Sequence, residues 1–120
     1  MSAIVVVTTV GAEDQANELA RELVGRRHAA CVNIVHGIKS VYRWQGKICR
    51  DGELMLVIKT LRSEYEAVAK TIRELHSYEL PEILAFDIIQ GDESFLSWIE
   101  GSLDKSAADF DDEEEIVDYE

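Results

Sequence analysis

The order of hydrophobic periodicities along the 120-residue chain is the feature that most limits its fold. The chain opens with a run of mostly β-branched residues, Ala3 to Val10, whose two sides are both apolar, and this run predicts a strand. From Ala12 to Gly25 the apolar residues recur at the three- and four-residue spacing of an amphipathic helix. An extended stretch, Ala29 to Trp44, follows, and Gln45-Gly46 is the expected hairpin turn after it. The first half of the chain therefore predicts strand, helix and the first arm of a hairpin.

The second half continues with a strand, a helix, a strand and a short helix. Gly52 to Leu61 alternates between two apolar faces, and Ser63 to Glu66 has the form of a capping box, which predicts that a helix begins at Ser63. Pro81 ends the helical pattern, because proline has no amide hydrogen and restricts the residue before it. A strand is predicted from Ile83 to Ile89, and Asp92 is placed to cap the short third helix.

The resulting order of strand, helix, strand, strand, helix, strand is that of the ferredoxin-like α+β fold. Right-handed crossovers then place both long helices on one face of a four-stranded antiparallel sheet, and the short C-terminal helix follows. We expect one ferredoxin-like domain over residues 1–103, since this length is typical of a single domain.

Three of the predicted strands are apolar on both faces, although the two long helices cover only one. In the first strand, for example, Val5 and Val7 point one way while Ile4 and Val6 point the other. A sheet face in water alternates apolar with polar residues, and a large exposed apolar patch indicates an interface. We therefore expect sheet-to-sheet packing between subunits. The alternative is that the third helix and the tail cover the second face alone, although one short helix is narrow for four strands.

Acidic residues are concentrated at the C-terminus. The net charge is −12, and residues 104–120 hold nine acidic residues and one lysine, which carry −8 of it. The run from Asp109 to Glu115 predicts a solvated, disordered tail over residues 104–120; the alternative is an arm that attracts cations or a partner. Because nucleic acids need clusters of Lys and Arg, the composition argues against a nucleic-acid partner.

No segment resembles a membrane anchor or a secretion signal. A membrane span needs roughly 20 apolar residues, and no run in the chain approaches that length. The first residues lack a basic region, and the apolar segment after them is short. Cys31 and Cys49 are too few for a disulfide framework and have no C-x-x-C spacing. These features predict a cytoplasmic protein with free thiols and no membrane partner.

Donor groups for a metal ion are concentrated between the second helix and the last strand. His76, Tyr78, Glu79 and Glu82 lie within seven residues. Neutral imidazole together with carboxylate suits zinc, copper or nickel. The alternative is a joint between helix and strand whose side chains only bond their neighbours.

Two residues elsewhere have several possible roles. Cys31 is a candidate thiolate ligand, which favours Cu(I), or a small core residue, or a nucleophile with His76 as its base. Lys59 is a candidate for holding an anionic ligand or for an ion pair with Glu79 or Glu82. The chain contains no hydrolase, Walker or dinucleotide motif, so an enzyme is not predicted.

Motifs along residues 4–99 together resemble one known family, the CutA divalent-cation-tolerance proteins. The matching residues are Ala30 to Ile34, Ser40, Tyr42, Trp44, Gly46 to Ile48, Glu53, Lys59-Thr60, His76, Tyr78-Glu79, Pro81 to Ile83, Gly91, Leu96, Trp98 and Ile99. The chain departs from the family at Ser77, where proline is usual, and at Phe95, where tyrosine is common. The acidic tail lies outside the resemblance.

The resemblance implies a homotrimer that binds copper or other divalent metal ions and supports tolerance of them. It implies a metal site of Cys31, His76 and Glu79, and a ligand- or anion-binding set of Lys59, Tyr78 and Glu82, near a subunit boundary. Two alternatives stay open. One is a trimeric signalling or adaptor protein similar to the P-II type, which binds a small anionic ligand at its subunit clefts. The other is hydrolytic or redox chemistry by Cys31 and His76.

Overall fold

A computed structural model describes residues 2–106 and 116–118. Its elements follow the predicted order, with a short C-terminal helix after the last strand. They are β1 (Ala3–Val10), α1 (Glu13–Gly25), β2 (Cys31–Trp44), β3 (Lys47–Leu61), α2 (Tyr65–Leu75), β4 (Leu84–Asp87) and α3 (Glu93–Ser102). The ferredoxin-like α+β prediction is confirmed.

The four strands form one antiparallel sheet in the order β2-β3-β1-β4. In β1, Val5 is opposite Lys59 of β3 and Phe86 of β4, so these three residues share a face. The same register places Ile4, Val6 and the residues paired with them on the other face. Every position on the sheet can therefore be assigned to a face.

The helix-covered face contains the hydrophobic core. Helices α1 and α2 pack on it through apolar stripes, as their periodicity predicts. The fully or almost fully buried side chains of this core are Ile4, Val6, Val10, Ala16, Leu19, Leu23, Ala29, Leu56, Ile58, Val68 and Ile72. Each buried Leu, Ile or Val stabilises the fold by about 1.5–3 kcal/mol relative to an exposed one.

The β2–β3 hairpin is long, with strands of 14 and 15 residues, and the structure as a whole has principal extents of 51 × 32 × 29 Å. Its turn is Gln45-Gly46, with φ of 52° and 77°, the left-handed values that a tight hairpin turn requires. The register shifts between Val35 and Ile38, where Gly37 has a φ of 78°. The predicted turn is confirmed, and the register shift marks a β-bulge in β2.

Three predicted elements have wrong boundaries, and the first is β3, which begins at Lys47 rather than at Gly52. Arg62–Glu64 forms a 3₁₀ turn, α2 begins at Tyr65, and no side chain caps this helix. Ser63 therefore lies inside the turn and cannot form the predicted capping box. Strand β4 is also shorter than predicted, because its pairing with β1 ends at Asp87. The predicted cap of α3 is confirmed, since Asp92 Oδ2 accepts a 3.0 Å hydrogen bond from the Phe95 amide.

The second sheet face, here called the open face, exposes apolar side chains. Val35, Leu84 and Phe86 are 41%, 51% and 55% exposed, and they share this face with Val5 and Val7. Helix α3 packs only on one end of it, through Ile99 and Leu96. In the part of the chain that the structure describes, α3 thus leaves the apolar side chains of the edge strands β2 and β4 exposed on the open face.

The last described residues connect α3 to the acidic segment. Leu103 is buried beside Ile99, the backbone carbonyl of Asp104 accepts a hydrogen bond from Arg27, and Lys105 pairs with Glu64. Most of the predicted tail, residues 107–115 and 119–120, lies outside the described residues. None of the helices in the described ranges is long and apolar enough to cross a membrane.

Candidate functional site

A cavity of about 760 Å³ lies between the hairpin and the segment that joins α2 to β4. This segment, His76–Ile83, contains the donor groups that the sequence singles out. The polar side chains of the hairpin and the segment that line the cavity include Lys39, Ser40, Tyr42, Arg43, Asp51, Glu53, Tyr78, Glu79 and Glu82. Because the four carboxylates outnumber the two basic groups, we call it the acidic cavity. The volume is in the range of small-molecule sites in proteins.

His76 fixes the start of the segment. It is 9% exposed, its Nε2 lies 2.7 Å from the carbonyl of Thr9, and its Nδ1 accepts a 3.0 Å hydrogen bond from the Tyr78 amide. Because a carbonyl only accepts, Nε2 carries the hydrogen and the ring is neutral in this arrangement. Neither ring nitrogen therefore has a free lone pair for a metal ion.

Tyr78 connects the segment to the hairpin. Its ring lies 4.7 Å from that of His76, and its hydroxyl donates a 2.8 Å hydrogen bond to Glu53 Oε2. Burial, followed by this hydrogen bond, raises the pKa of the Tyr78 phenol. A Cβ on Gly11 would lie 3.1 Å from the Tyr78 hydroxyl, so glycine leaves the room that the phenol needs.

Glu53 is the buried carboxylate at the base of the cavity. It is 8% exposed, and its Oε1 accepts a 2.5 Å hydrogen bond from the Ser40 hydroxyl on the neighbouring strand. With Tyr78 on Oε2, each oxygen of the carboxylate has one hydroxyl donor. Two hydroxyl bonds compensate part of the cost of removing this charge from water.

A second phenol and carboxylate lie further along the hairpin. Tyr42 donates a short hydrogen bond to Asp51 Oδ2. This bond raises the pKa of Tyr42 from its ordinary 10.0 to about 12, since losing the proton would place two negative charges together. Tyr42 therefore remains a neutral donor at physiological pH.

Glu79 and Glu82 line the same cavity and are exposed. Neither carboxylate forms a hydrogen bond or ion pair with any residue in the described ranges 2–106 and 116–118. Pro81 lies between them and restricts the backbone of the segment that carries both. The cavity thus combines two bonded carboxylates, those of Asp51 and Glu53, with two that are available to a ligand.

Lys59 and Cys31 lie elsewhere, at the other end of the open face. They are opposite each other on β3 and β2, and Lys59 Nζ donates a 2.5 Å hydrogen bond to Asn33 Oδ1. The Cys31 sulfur lies 3.9 Å from the same oxygen. Lys59 and Glu53 are six residues apart on β3, which separates their backbones by about 20 Å along the strand.

The predicted site residues thus form two groups within one subunit. His76, Tyr78, Glu79 and Glu82 lie together at the acidic cavity, whereas Cys31 and Lys59 lie together about 20 Å away along the sheet. Among residues 2–106 and 116–118, no three His, Cys, Asp or Glu side chains are arranged to hold a metal ion. Within one subunit, Cys31 does not lie beside His76 and Glu79. The predicted metal site near a subunit boundary stays a prediction, because it would need residues from two subunits.

The roles of three residues that line the cavity could not be predicted from residue spacing in the sequence. The roles of Glu53, Ser40 and Asp51 depend on hairpin pairing that brings β2 and β3 beside the distant segment. One signal was present in the sequence: Asp51 and Glu53 continue, at every second residue, the face of β3 that bears Met55 and Val57. Carboxylates that continue the apolar face of a strand predict a functional site at that end of the sheet.

Comparisons with known proteins agree with this architecture. Residues 4–102 match the family described as CutA1 divalent ion tolerance protein. The chain is 43% identical over 95 residues to the divalent-cation tolerance protein CutA of Thermus thermophilus, a match that covers 79% of this chain and 92% of that protein. It is 41% identical to the chloroplastic protein CutA of Arabidopsis thaliana, over 82% of this chain and 54% of that longer protein.

Solved structures give the same result. The crystal structure of CutA from Xylella fastidiosa is 36% identical, with a TM-score of 0.84 over 87% of this chain and 100% of that one. The structure of the divalent cation tolerance protein from Thermus thermophilus is 42% identical, with a TM-score of 0.79 over 81% of this chain and 94% of that one. The match to the family spans both the hairpin and the His76–Ile83 segment. The chain therefore belongs to the CutA1 family of divalent ion tolerance proteins.

Proposed function

We propose that the protein is a homotrimer that binds divalent metal ions, copper among them, and supports tolerance of those ions. The relative from Thermus thermophilus is named for divalent-cation tolerance, which supports this general role. The single observation that carries the proposal is the acidic cavity, in which Glu79 and Glu82 face solvent with no partner among the described residues. Carboxylate oxygens bind divalent cations, and two of them here are unoccupied by protein donors.

Within one subunit, the proposed ligands differ in where they lie and in which hydrogen-bond partners they have. Glu79 lines the cavity, and Glu82, assigned from the sequence to a ligand-binding role, is a second carboxylate in the same lining. His76 uses both ring nitrogens, so its direct ligation would require the bonds to Thr9 and Tyr78 to break. We therefore propose that His76 positions the segment and that Glu79 and Glu82 contact the ion.

The part of Cys31 in the site depends on the assembly. Its thiol lies on the open face beside Lys59, far from the cavity of its own subunit. A thiolate is the ligand that favours copper over harder divalent ions. Cys31 and Glu79 share one ion only if they come from two subunits, and copper selectivity is thus proposed to require the oligomer.

The open face supports the proposed homotrimer. Leu84 and Phe86 are about half exposed on the edge strand β4, on a sheet face that α3 covers only at one end. Exposed apolar patches of this kind indicate contact with another protein surface. A closed ring of three subunits would remove this face from water in each of them.

A titration with Cu²⁺, Zn²⁺ and Mn²⁺ tests the metal proposal. Isothermal calorimetry on the purified protein compares the wild type with Glu79→Gln/Glu82→Gln and with a control, Glu93→Gln/Glu100→Gln, on α3. We expect weaker binding or loss of one ion per subunit in the first variant and no change in the control. Unchanged affinity and stoichiometry in both variants would contradict a site at Glu79 and Glu82.

The second candidate function is binding of a small anionic ligand at the subunit clefts, as in P-II-type trimers. It is favoured by Lys59, whose only described partner is the neutral Asn33 side chain. Lys59 with Tyr78 and Glu82 would form the ligand site across a subunit boundary. Nucleotides and dicarboxylates added in the same calorimeter distinguish this function, because heat from them that disappears in Lys59→Gln would support it.

Three further points belong to the same proposal. The protein is proposed to bind ions rather than catalyse a reaction, and to have no nucleic-acid or membrane partner. The cytoplasm is the proposed compartment, supported by the free thiols of Cys31 and Cys49, since reducing compartments keep thiols unpaired. Relatives carry names for other compartments, chloroplastic in Arabidopsis thaliana and periplasmic in Archaeoglobus fulgidus, so cell fractionation is the direct test.

A further inference from the structure

Two basic side chains, Lys39 and Arg43, line the acidic cavity on its hairpin side, across from the His76–Ile83 segment. They alternate with Ser40 and Tyr42 along β2, which is an edge strand of the sheet. Because successive side chains of a strand point to opposite faces, Lys39 and Arg43 start from the far face of this edge strand. They therefore line the cavity at its rim, whereas Ser40 lies at its base.

The two basic groups have no counter-charge among the described residues. Lys39 and Arg43 are exposed, and neither forms a hydrogen bond or an ion pair with any residue in the ranges 2–106 and 116–118. The hairpin carboxylates of Asp51 and Glu53 accept their hydrogen bonds from hydroxyl groups instead. The rim of the cavity thus has two cationic groups that are available to an anion.

A bare divalent ion would use only one side of this cavity. Glu79 and Glu82 attract such an ion, whereas the cationic groups of Lys39 and Arg43 repel it. The cavity is also large for an ion, since an ion with about six waters of about 30 Å³ each fills only roughly 200 Å³. About 760 Å³ is present here. The volume and the two kinds of charge together indicate a ligand that carries negative as well as positive charge.

We propose that the acidic cavity takes a divalent ion together with a small di- or tricarboxylic acid bound to it, in preference to the bare ion. Glu79 and Glu82 contact the metal, and Lys39 and Arg43 bind a free carboxylate of the acid. The planar guanidinium of Arg43 suits this role, because it can donate two parallel hydrogen bonds to one carboxylate. This inference rests on the proposed function, since it names the form in which the site takes its ion.

The inference reverses the expected effect of a chelating acid. Citrate in solution competes with a protein for metal, so a site for bare ions retains less metal when citrate is added. A site for the complex retains citrate and metal in equal numbers. The ratio of the two components on the protein therefore distinguishes the two kinds of site.

Equilibrium dialysis with Mn²⁺ and radiolabelled citrate measures this ratio. We expect the wild type to retain one citrate for each Mn²⁺, and no citrate when Mn²⁺ is left out. Glu79→Gln/Glu82→Gln should lose both components, because the metal holds the citrate in place. Lys39→Gln/Arg43→Gln should still retain Mn²⁺ supplied alone, but its citrate retention should fall by at least about tenfold, the effect of losing one hydrogen bond to a charged group.

The matched control is Lys47→Gln/Arg50→Gln. It removes two exposed positive charges from the same hairpin at positions outside the lining of the cavity, so it should behave as the wild type. This control separates a local effect of Lys39 and Arg43 from a general effect of the charge of the hairpin.

Three results overturn the inference. If wild-type protein retains Mn²⁺ without citrate, and citrate only lowers the amount of metal retained, the cavity takes the bare ion and the metal proposal stands. Equal citrate retention by the wild type and Lys39→Gln/Arg43→Gln removes the role of the two basic groups. Citrate retained without Mn²⁺ supports the anion-binding candidate instead. Retention of neither component under any condition contradicts the proposed metal function as well.

Discussion

The Tyr78 hydroxyl donates a 2.8 Å hydrogen bond to Glu53 Oε2 and so joins the segment after α2 to a hairpin strand 25 residues earlier in the chain. This bond closes the base of the cavity. The hydrogen bond gives the buried Glu53 carboxylate a donor. It also helps to keep the Tyr78 phenol neutral, because it contributes to the raised pKa of that phenol.

Removing the hydroxyl in Tyr78→Phe leaves one oxygen of the buried Glu53 carboxylate without a donor. We expect a loss of about 1–3 kcal/mol in the free energy of unfolding, the usual cost of an unsatisfied buried group. The measurement is denaturant unfolding at constant protein concentration. The control is Tyr65→Phe on α2, whose hydroxyl makes no described hydrogen bond; equal effects of the two variants would contradict the role of this bond.

The pH dependence of Tyr42 follows from its bond to Asp51. The pKa of Tyr42 is about 12 in the folded protein and near 10 in the unfolded chain, so the folded state holds the proton more tightly. This contribution to stability is complete below pH 10 and is lost as the pH rises through about 12. In absorbance titration at the phenolate band, Asp51→Asn should shift one tyrosine toward its ordinary pKa. Identical titration curves for the wild type and Asp51→Asn would contradict the effect of Asp51 on the pKa of Tyr42.

The open face should govern assembly. Leu84→Glu or Phe86→Glu places a charge among the exposed apolar side chains of the open face, on its edge strand β4, and we expect either change to give monomers in light scattering. The control is Ile89→Glu, because Ile89 is 92% exposed and lies beyond the end of β4. Intact trimers in both open-face variants would contradict sheet-to-sheet packing.

The acidic tail should be dispensable for assembly. A chain that ends at Ser106 keeps the described contacts of Asp104 with Arg27 and of Lys105 with Glu64. We expect this shortened protein to have the same number of subunits as the full chain in light scattering. Dissociation of the shortened protein would assign the tail a role at the interface.

Most of the fold could be predicted from the sequence because the apolar spacing is regular. The strand and helix order, the Gln45-Gly46 turn and the Asp92 cap each depend on a few neighbouring residues. The predicted capping box at Ser63 also depended on a local pattern. It was wrong because Arg62–Glu64 forms a 3₁₀ turn that leads into α2.

The site was harder to predict, because its contacts join distant parts of the chain. Donor residues in the His76–Ile83 segment could be recognised from their clustering, whereas the burial of Glu53 depends on the hairpin register. The metal role of His76 could not be judged from sequence, since its nitrogens are occupied by the Thr9 carbonyl and the Tyr78 amide. Spacing also could not show that Cys31 lies far from Glu79.

A crystal structure of the protein soaked with Cu²⁺, with anomalous data collected at the copper edge, tests directly whether the cavity binds the ion. We expect an anomalous peak in each cavity, within coordination distance of Glu79 and Glu82, and no such peak in crystals of Glu79→Gln/Glu82→Gln. Copper found only at surface positions away from this cavity, in both proteins, would contradict the claim that the cavity binds the ion.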